Sequence, residues 1–169
     1  MAIGRAQFIG AAGQYYVAYS LAVRQVNASL TIGNAPSVDV LASSDDGCRT
    51  LSIQVKTSRQ ALRSKRFGSL NVHEWDVGGS VVGKQAPTFW YAFVDLQERE
   101  QEWQPVVFFV PSRWVAEFVK PDSTRFMYLL PATAEPLCRE RWDLVAAFLK
   151  GDPYAVEWAQ SWPDEVKWV

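Results

Sequence analysis

The chain has 169 residues, of which 49% are apolar and 21% are charged, and this composition excludes a wholly disordered protein. At about 150 residues per domain, we expect one domain over residues 1–169. His73 is the only histidine, and Cys48 and Cys138 are the only cysteines. A disulfide scaffold, a four-ligand zinc site and a Ser-His-Asp mechanism are therefore disfavoured. The sequence has no apolar run of membrane length and no secretory signal, so we expect a cytoplasmic protein without membrane contact.

Charge is divided unevenly along the chain, although the net charge is −1. Residues 1–94 carry nine basic and five acidic side chains, whereas residues 95–169 carry eight basic and thirteen acidic ones. Five basic residues fall within eleven positions that contain no acid: Lys56, Arg59, Arg63, Lys65 and Arg66. Such a cluster can neutralise several phosphates, or it can be a solvated loop beside an acidic partner surface.

The first predicted element is a helix over residues 4–25. Five of its residues recur at spacings of four and three and so share one face: Phe8, Ala12, Tyr15, Tyr19 and Ala22. Gly10 and Gly13 lower helix propensity but permit the close approach of another backbone. Strands are predicted over residues 27–32, 37–42 and 50–57, with a turn at 43–47 between the last two.

Weak periodicity follows over residues 58–87, which predicts a long loop or a small hairpin excursion. Dense aromatic and β-branched residues then predict buried strands over 88–96 and 105–110. The remaining elements are a helix after Pro111 with Ser112 as its N-cap, a strand over 126–130, and a helix over 139–150 ended by Gly151 and Pro153. We expect an α+β fold, similar to an α/β sandwich, with helices flanking a mixed central sheet.

Asp39 is the only acidic residue in residues 1–44, and it lies within an apolar strand. On the next strand, Gln54 and Lys56 share the face opposite to Ile53 and Val55. If the register of the two strands suits, Asp39 joins Gln54 and Lys56. The carboxylate can then hold a hard cation such as Mg²⁺, and the lysine can orient or deprotonate water or stabilise a phosphate. The alternative is a partly buried salt bridge between Asp39 and Lys56.

Three stretches within residues 10–58, G-A-A-G-Q-Y-Y-V-A-Y-S-L, N-A-P-S-V-D-V-L-A and S-I-Q-V-K-T-S, resemble the PD-(D/E)xK nuclease superfamily. They are most similar to its small bacterial members and share the plan of Holliday-junction resolvases. With F-W-Y-A-F-V-D-L and V-V-F-F-V-P-S, the resemblance covers residues 4–120 and leaves a helical, Trp-rich extension over 121–169. It implies a restriction-endonuclease-like core in the order α-β-β-β-α-β.

The resemblance also implies roles for individual residues. Asp39 matches the metal-binding aspartate, Gln54 the second acidic position and Lys56 the catalytic lysine, and the carbonyl of Val55 would be a further metal ligand. Gln14 matches the helix carboxylate, where the family pattern has glutamate. With neutral Gln14 and Gln54, one formal negative charge is left in the core, which weakens the expected affinity for a hard cation.

The function implied by this resemblance is a Mg²⁺- or Mn²⁺-dependent endonuclease that acts on DNA in repair, recombination or defence. The predicted nucleic-acid contacts come from the basic cluster: Arg59, Arg63, Lys65 and Arg66. Two other functions stay open. One is a catalytically silent nucleic-acid-binding or regulatory protein that keeps the fold, and the other is an interaction subunit that uses the acidic, Trp-rich C-terminal half.

Two further segments have alternative interpretations. His73-Glu74-Trp75-Asp76 is either a loop that folds over the site and supplies His73 or Glu74, or a surface loop anchored in the core by Trp75. Trp158, Trp162 and Trp168 place three large rings near the end of the sequence, where they either belong to the core or form an interface with a protein partner or a second copy of the chain.

Overall fold

The computed structural model describes residues 3–32, 37–99, 102–119, 126–129, 131 and 135–161. The helices are α1 (Ile3–Ala22), α2 (Ser112–Phe118), α3 (Glu135–Cys138), α4 (Trp142–Lys150) and α5 (Pro153–Gln160), with a 3-10 turn at Gly79–Gly83. The strands are β1 (Asn27–Leu30), β2 (Val40–Ser43), β3 (Thr50–Ser58), β4 (Leu62–Phe67), β5 (Leu70–Asp76), β6 (Phe89–Asp95), β7 (Glu98–Arg99), β8 (Glu102–Trp103), β9 (Val106–Pro111) and β10 (Phe126–Leu129).

The main sheet has five strands in the order β1-β2-β3-β6-β9. Its neighbours pair antiparallel except for β3 and β6, which run parallel. A second sheet has the order β10-β5-β4, and β7 pairs with β8. The α+β fold with a mixed central sheet and flanking helices is therefore confirmed. None of the helices in the described ranges combines the length and apolar character needed to span a bilayer.

Side chains that alternate along the strands build two packed layers on the main sheet. Ile53 and its parallel partner Trp90 are buried on one face, where Trp90 contacts Phe148 of α4 and Trp158 of α5. On the other face, Phe93 and its antiparallel partner Phe108 contact Trp75 of β5. The main sheet is thus enclosed by helices on one side and by the smaller sheet on the other.

α1 packs against β3 through small and aliphatic residues. Val17, Ser20 and Leu21 are buried, and a Cβ added to Gly13 would overlap Oγ1 of Thr57 and lie 3.0 Å from its Cβ. The predicted close approach is confirmed at Gly13, whereas a Cβ on Gly10 would have no neighbour within 4 Å. The aromatic face that the spacing predicts is the solvent face of this helix, since its rings are exposed.

Of the two alternatives predicted for residues 58–87, a long loop or a small hairpin excursion, the hairpin is confirmed, since β4 and β5 pair antiparallel. These residues contain β4, β5 and the 3-10 turn, and β5 lies between β4 and β10. Every residue of β4 is exposed, so this strand has no buried face to produce an alternating pattern. The alternation of apolar and polar residues that identifies most strands is therefore missing from β4.

In the C-terminal half, the predicted helix end at Gly151 is confirmed, because Gly151 follows α4 with φ of 75°, but this helix begins at Trp142 rather than at residue 139, and Pro153 does not end it. Pro153 begins α5, where its fixed φ suits the first helical turn, and Asp152 caps the helix by accepting the N–H groups of Tyr154 and Ala155. The predicted cap at Ser112 is also absent, because α2 begins after Pro111 without a side-chain cap. The Ser112 hydroxyl instead bonds both the N–H and the carbonyl of Ala86.

Candidate functional site

Asp39 lies where β2 and β3 separate. The ladder between these strands ends at the pair Val40 and Ile53, and the Asp39 N–H still donates to the Ile53 carbonyl at 2.9 Å. The Asp39 side chain then reaches toward β3, and its Oδ2 accepts the N–H of Val55 at 2.7 Å. The Asp39 carboxylate therefore replaces the backbone carbonyl that would accept the next hydrogen bond of the ladder.

Gln14 reaches the same carboxylate from α1. Its Nε2 donates to Oδ1 of Asp39 at 2.8 Å, so each carboxylate oxygen accepts one N–H group. Asp39 is about half-buried, and burial raises the pKa of its carboxyl, opposed by the Val55 N–H and by the charge of Lys56. The fold thus brings together two of the predicted site residues that are distant in sequence.

The carbonyl of Val55 adds an oxygen to the gap that opens between β2 and β3 at Asp39. In an antiparallel pair, a residue directs its N–H and its carbonyl toward the same neighbouring strand. Because the Val55 N–H faces Asp39, its carbonyl lies along the same edge of β3. Gln54 is half-buried on the face of β3 that it shares with Lys56, opposite to the Val55 side chain, and within the described ranges no hydrogen bond joins its amide to Asp39 or Gln14.

Lys56 is a half-buried cation beside this gap. Burial lowers the pKa of its ammonium group, and the charges of Asp39 and Asp76 oppose that shift. Lys84, which follows the 3-10 turn, is near enough to lower the pKa of Lys56 further. The shift brings the lysine closer to giving up its proton near neutral pH.

A cleft of about 380 Å³ opens beside Lys56. Its polar lining comes from β3, β4 and β5, and the charged residues that line it together with Lys56 are Arg63, Glu74 and Asp76. Glu74 and Asp76 were expected on a loop, but they belong to β5. Lys84 is not among the residues that the sequence predicts for the site, because it lies in a glycine-rich segment where its charge is the only signal.

His73 does not line this cleft. It is buried on β5 between two carboxylates, with Nε2 3.8 Å from Asp95 Oδ2 and Nδ1 3.6 Å from Glu135 Oε2, and it stacks on Trp75. The interpretation in which a loop carries His73 over the site is therefore wrong. Trp75 is buried, as the alternative interpretation predicts, but on a strand rather than on a loop.

The basic cluster is placed mainly on the exposed strand β4. Glu74 pairs with two of its members, with Oε1 3.5 Å from Nε of Arg63 and Oε2 2.8 Å from Nε of Arg66. Lys65 is exposed at an irregularity of the strand, with φ of 54°, and the Arg59 guanidinium lies over the ring of Trp103. The charge available to a ligand is therefore smaller than the sequence suggests.

The Trp-rich end of the sequence is described only in part. Trp158 is buried and contacts the rings of Trp90 and Trp114, so it belongs to the core. Trp162 and Trp168 lie outside the described residues, and the predicted partner interface there stays a prediction.

The oxygen donors around the gap are the Asp39 carboxylate, the Val55 carbonyl and the Gln14 amide. Carboxylate, carbonyl and amide oxygens are the ligands that Mg²⁺ and Mn²⁺ prefer. Within the described ranges, no three His, Cys, Asp or Glu side chains form a group that could hold a metal ion. A cation here would therefore have one carboxylate, that of Asp39, and otherwise neutral oxygens as ligands. Comparison with protein-family models, with curated proteins and with solved structures finds no match to this chain.

Proposed function

We propose that the chain is a metal-dependent endonuclease that hydrolyses phosphodiester bonds in DNA and is built on a restriction-endonuclease-like core. The observation that carries this proposal is that the Asp39 carboxylate accepts hydrogen bonds from the Gln14 side chain and from the backbone of Val55. Val55 is the residue directly before Lys56. These are the positions that the family plan assigns to the metal site, and they come from a helix and two strands in the order of that plan.

The donor set suits a hard divalent cation. Asp39 and the Val55 carbonyl would hold it, and Gln14 would contribute its amide oxygen after a half-turn of the amide group, which exchanges the positions of nitrogen and oxygen. When bound, Mg²⁺ or Mn²⁺ would stabilise negative charge on the phosphate and make bound water more acidic. One carboxylate and two neutral oxygens imply weak affinity for the ion.

We assign to Lys56 the role of orienting or deprotonating the attacking water. Its half-buried ammonium has a lowered pKa, so it can accept a proton more easily than a solvated lysine. In its charged form it can instead stabilise the negative charge that develops on the phosphate. Either role requires Lys56 to face the cleft, and the lining of the cleft includes it.

One observation favours a second candidate function, a catalytically silent nucleic-acid-binding protein. The Gln14 amide donates to Asp39, and this bond satisfies the carboxylate without a cation. Glutamate at this position would repel Asp39 and call for a metal ion between the two carboxylates. A neutral amide removes that requirement, so the same geometry is compatible with a site that no longer needs a metal.

The first prediction tests the nuclease proposal directly. The full chain is incubated with supercoiled plasmid in Mg²⁺, in Mn²⁺ and in EDTA, together with Asp39→Asn, Lys56→Met and the control Asp45→Asn. Nicking is expected only with a divalent cation. Asp39→Asn and Lys56→Met should each reduce it by about 100-fold or more, while Asp45→Asn, an exposed acid in the β2–β3 turn, retains it.

The outcomes of this experiment separate the two functions. Nicking that persists in Asp39→Asn would contradict the assignment of the metal site. If neither the unmodified chain nor any variant cleaves DNA, but the unmodified chain binds DNA equally well in Mg²⁺ and in EDTA, catalytically silent DNA binding is the correct function. Binding is measured on the same samples by fluorescence anisotropy of a labelled duplex.

A further inference from the structure

An uncharged aromatic stripe runs along the solvent face of α1. The α1 stripe is formed by Phe8, Ala12, Tyr15, Tyr19 and Ala22. Phe8 is 77% exposed, and Tyr15 and Tyr19 are 65% and 64% exposed. The opposite face of the helix is the one that packs on β3, so within the described ranges nothing covers these rings.

The stripe differs from an ordinary helix surface because it lacks charge. No Asp, Glu, Lys or Arg occurs from Ala6 to Val23, whereas the exposed face of a solvated helix is normally rich in charged residues. Tyr154 on α5 is equally exposed, at 63%, but its helix follows Asp152 and contains Glu157. A partner of the α1 stripe must therefore present an uncharged, largely apolar surface.

The size of the stripe matches the centre of a modest protein interface. At about 200 Å² for each aromatic side chain, the three exposed rings offer about 400 Å² on each chain. A stable interface buries about 800 Å² on each partner. The rings thus supply about half of that area, and the flanks of a 20-residue helix, which is about 30 Å long, can supply the rest.

We propose that the α1 stripe is a homodimer interface in which two copies of α1 pack antiparallel across a two-fold axis near Tyr15, the centre of the stripe. A second copy presents the uncharged, aromatic surface that the stripe requires, because a two-fold interface joins a surface to itself. An axis at this position places Tyr15 beside its symmetry mate. It also sets Phe8 of one copy opposite Ala22 of the other, with Ala12 near Tyr19, so that every residue of the stripe meets another residue of the stripe.

This dimer is independent of the proposed nuclease site. Gln14 contacts Asp39 and Gly10 lines the cleft beside Lys56, and both lie on the side of α1 that faces away from the stripe. Pairing through the stripe therefore leaves the cleft open in each subunit. The surface is also distinct from the Trp-rich C-terminal segment, so the two interface predictions can be tested separately.

The experiment measures the mass of the full chain in solution. Sedimentation velocity over a range of micromolar concentrations should give twice the chain mass of 19.1 kDa. The double variant Tyr15→Glu/Tyr19→Glu should be monomeric, with association weakened by about 100-fold or more, because carboxylates would be buried without partners. Tyr154→Glu, a substitution of an equally exposed tyrosine on α5, should remain dimeric.

A cross-link tests the position of the axis and does not depend on the stability of the glutamate variant. Tyr15→Cys in a Cys48→Ser background should form a disulfide-linked dimer on mild oxidation, and Tyr154→Cys in the same background should not. Circular dichroism and thermal melting verify that each variant is folded. A wild-type chain that stays monomeric, or a dimer that persists in folded Tyr15→Glu/Tyr19→Glu, would overturn the proposal.

Discussion

Asp39 is held by two N–H donors that reach it from different elements. Gln14 donates from α1 and Val55 donates from the backbone of β3, so the carboxylate is fixed without a basic side chain from the described residues within hydrogen-bond distance. A buried carboxylate is costly unless its oxygens are satisfied. These two bonds explain how a single acid can remain at this edge of the sheet, and under the proposed function Gln14 is the residue that distinguishes a metal site from a silent one.

Our second prediction is that Gln14→Glu makes the stability of the fold depend on Mg²⁺. The substitution removes the amide donor and places a second carboxylate beside Asp39 at nearly constant volume, so the unbound fold should be less stable. A cation that binds the folded state should recover this loss and bind more tightly than to the wild-type chain. Thermal melting with and without Mg²⁺, and calorimetry with Mn²⁺, measure both effects.

Gln7→Glu is the matched control for this change. Gln7 is an exposed glutamine of the same helix, so the substitution adds the same charge to the same element away from the site. Its melting temperature should respond to Mg²⁺ as that of the wild type does. An equal Mg²⁺ response in both variants would show that Gln14 does not belong to a metal site.

Local sequence patterns predict only part of the candidate site. Asp39 and Lys56 are identified from an isolated acid and an alternating strand, both of which are local patterns. The contribution of Lys84 and Asp76 to the charge around Lys56 depends on how the excursion folds back over β3. No local pattern encodes that arrangement, because β4 is exposed throughout and provides no periodicity.

At the scale of elements, the contact between α1 and β3 determines where Gln14 points. Gly13 precedes Gln14 and lies directly against Thr57, so the helix approaches the strand more closely than any larger residue would allow. The alternation in β3 predicts that strand to within one residue, at 50–57 against Thr50–Ser58. The glycine spacing predicts a close approach, but the surface that is approached emerges only in three dimensions.

Our third prediction compares the two glycines of α1. Gly13→Ala should destabilise the fold by about 1–3 kcal/mol, because its Cβ would overlap Thr57 and force the elements apart. Gly10→Ala has room for its Cβ and should stabilise the helix by up to about 1 kcal/mol. Urea denaturation of both variants measures the free energy of unfolding. Destabilisation of equal size in both would show that helix propensity, rather than packing, governs these positions.

At the scale of the whole molecule, the division of charge along the sequence is reshaped by the fold. The basic cluster has no acid among its neighbours in sequence, yet the β4–β5 pairing brings Glu74 between Arg63 and Arg66. Exposed ion pairs of this kind contribute little to stability. They do reduce the positive potential that a phosphate backbone would meet, which a count of charges along the sequence does not register.

Our fourth prediction is that Glu74→Gln strengthens DNA binding and steepens its salt dependence. Releasing Arg63 and Arg66 should allow about one more phosphate contact, and thus about one more unit of slope in a plot of log K against log salt. Glu157→Gln changes the net charge equally on an exposed position of α5 and should leave the slope unchanged. If the two variants show the same slope, the response reflects net charge and the cluster does not contact phosphate.

The parallel pairing of β3 with β6 has a consequence for the order in which the molecule folds. β2 and β3 are joined by a tight turn, so Asp39, Val55 and Lys56 can meet through short-range contacts that form early. β6 can join β3 only after the chain has passed through β4, β5 and the 3-10 turn, and closing a loop of that length is slower. The β2–β3 hairpin should therefore assemble first and serve as the template on which the rest of the central sheet is completed.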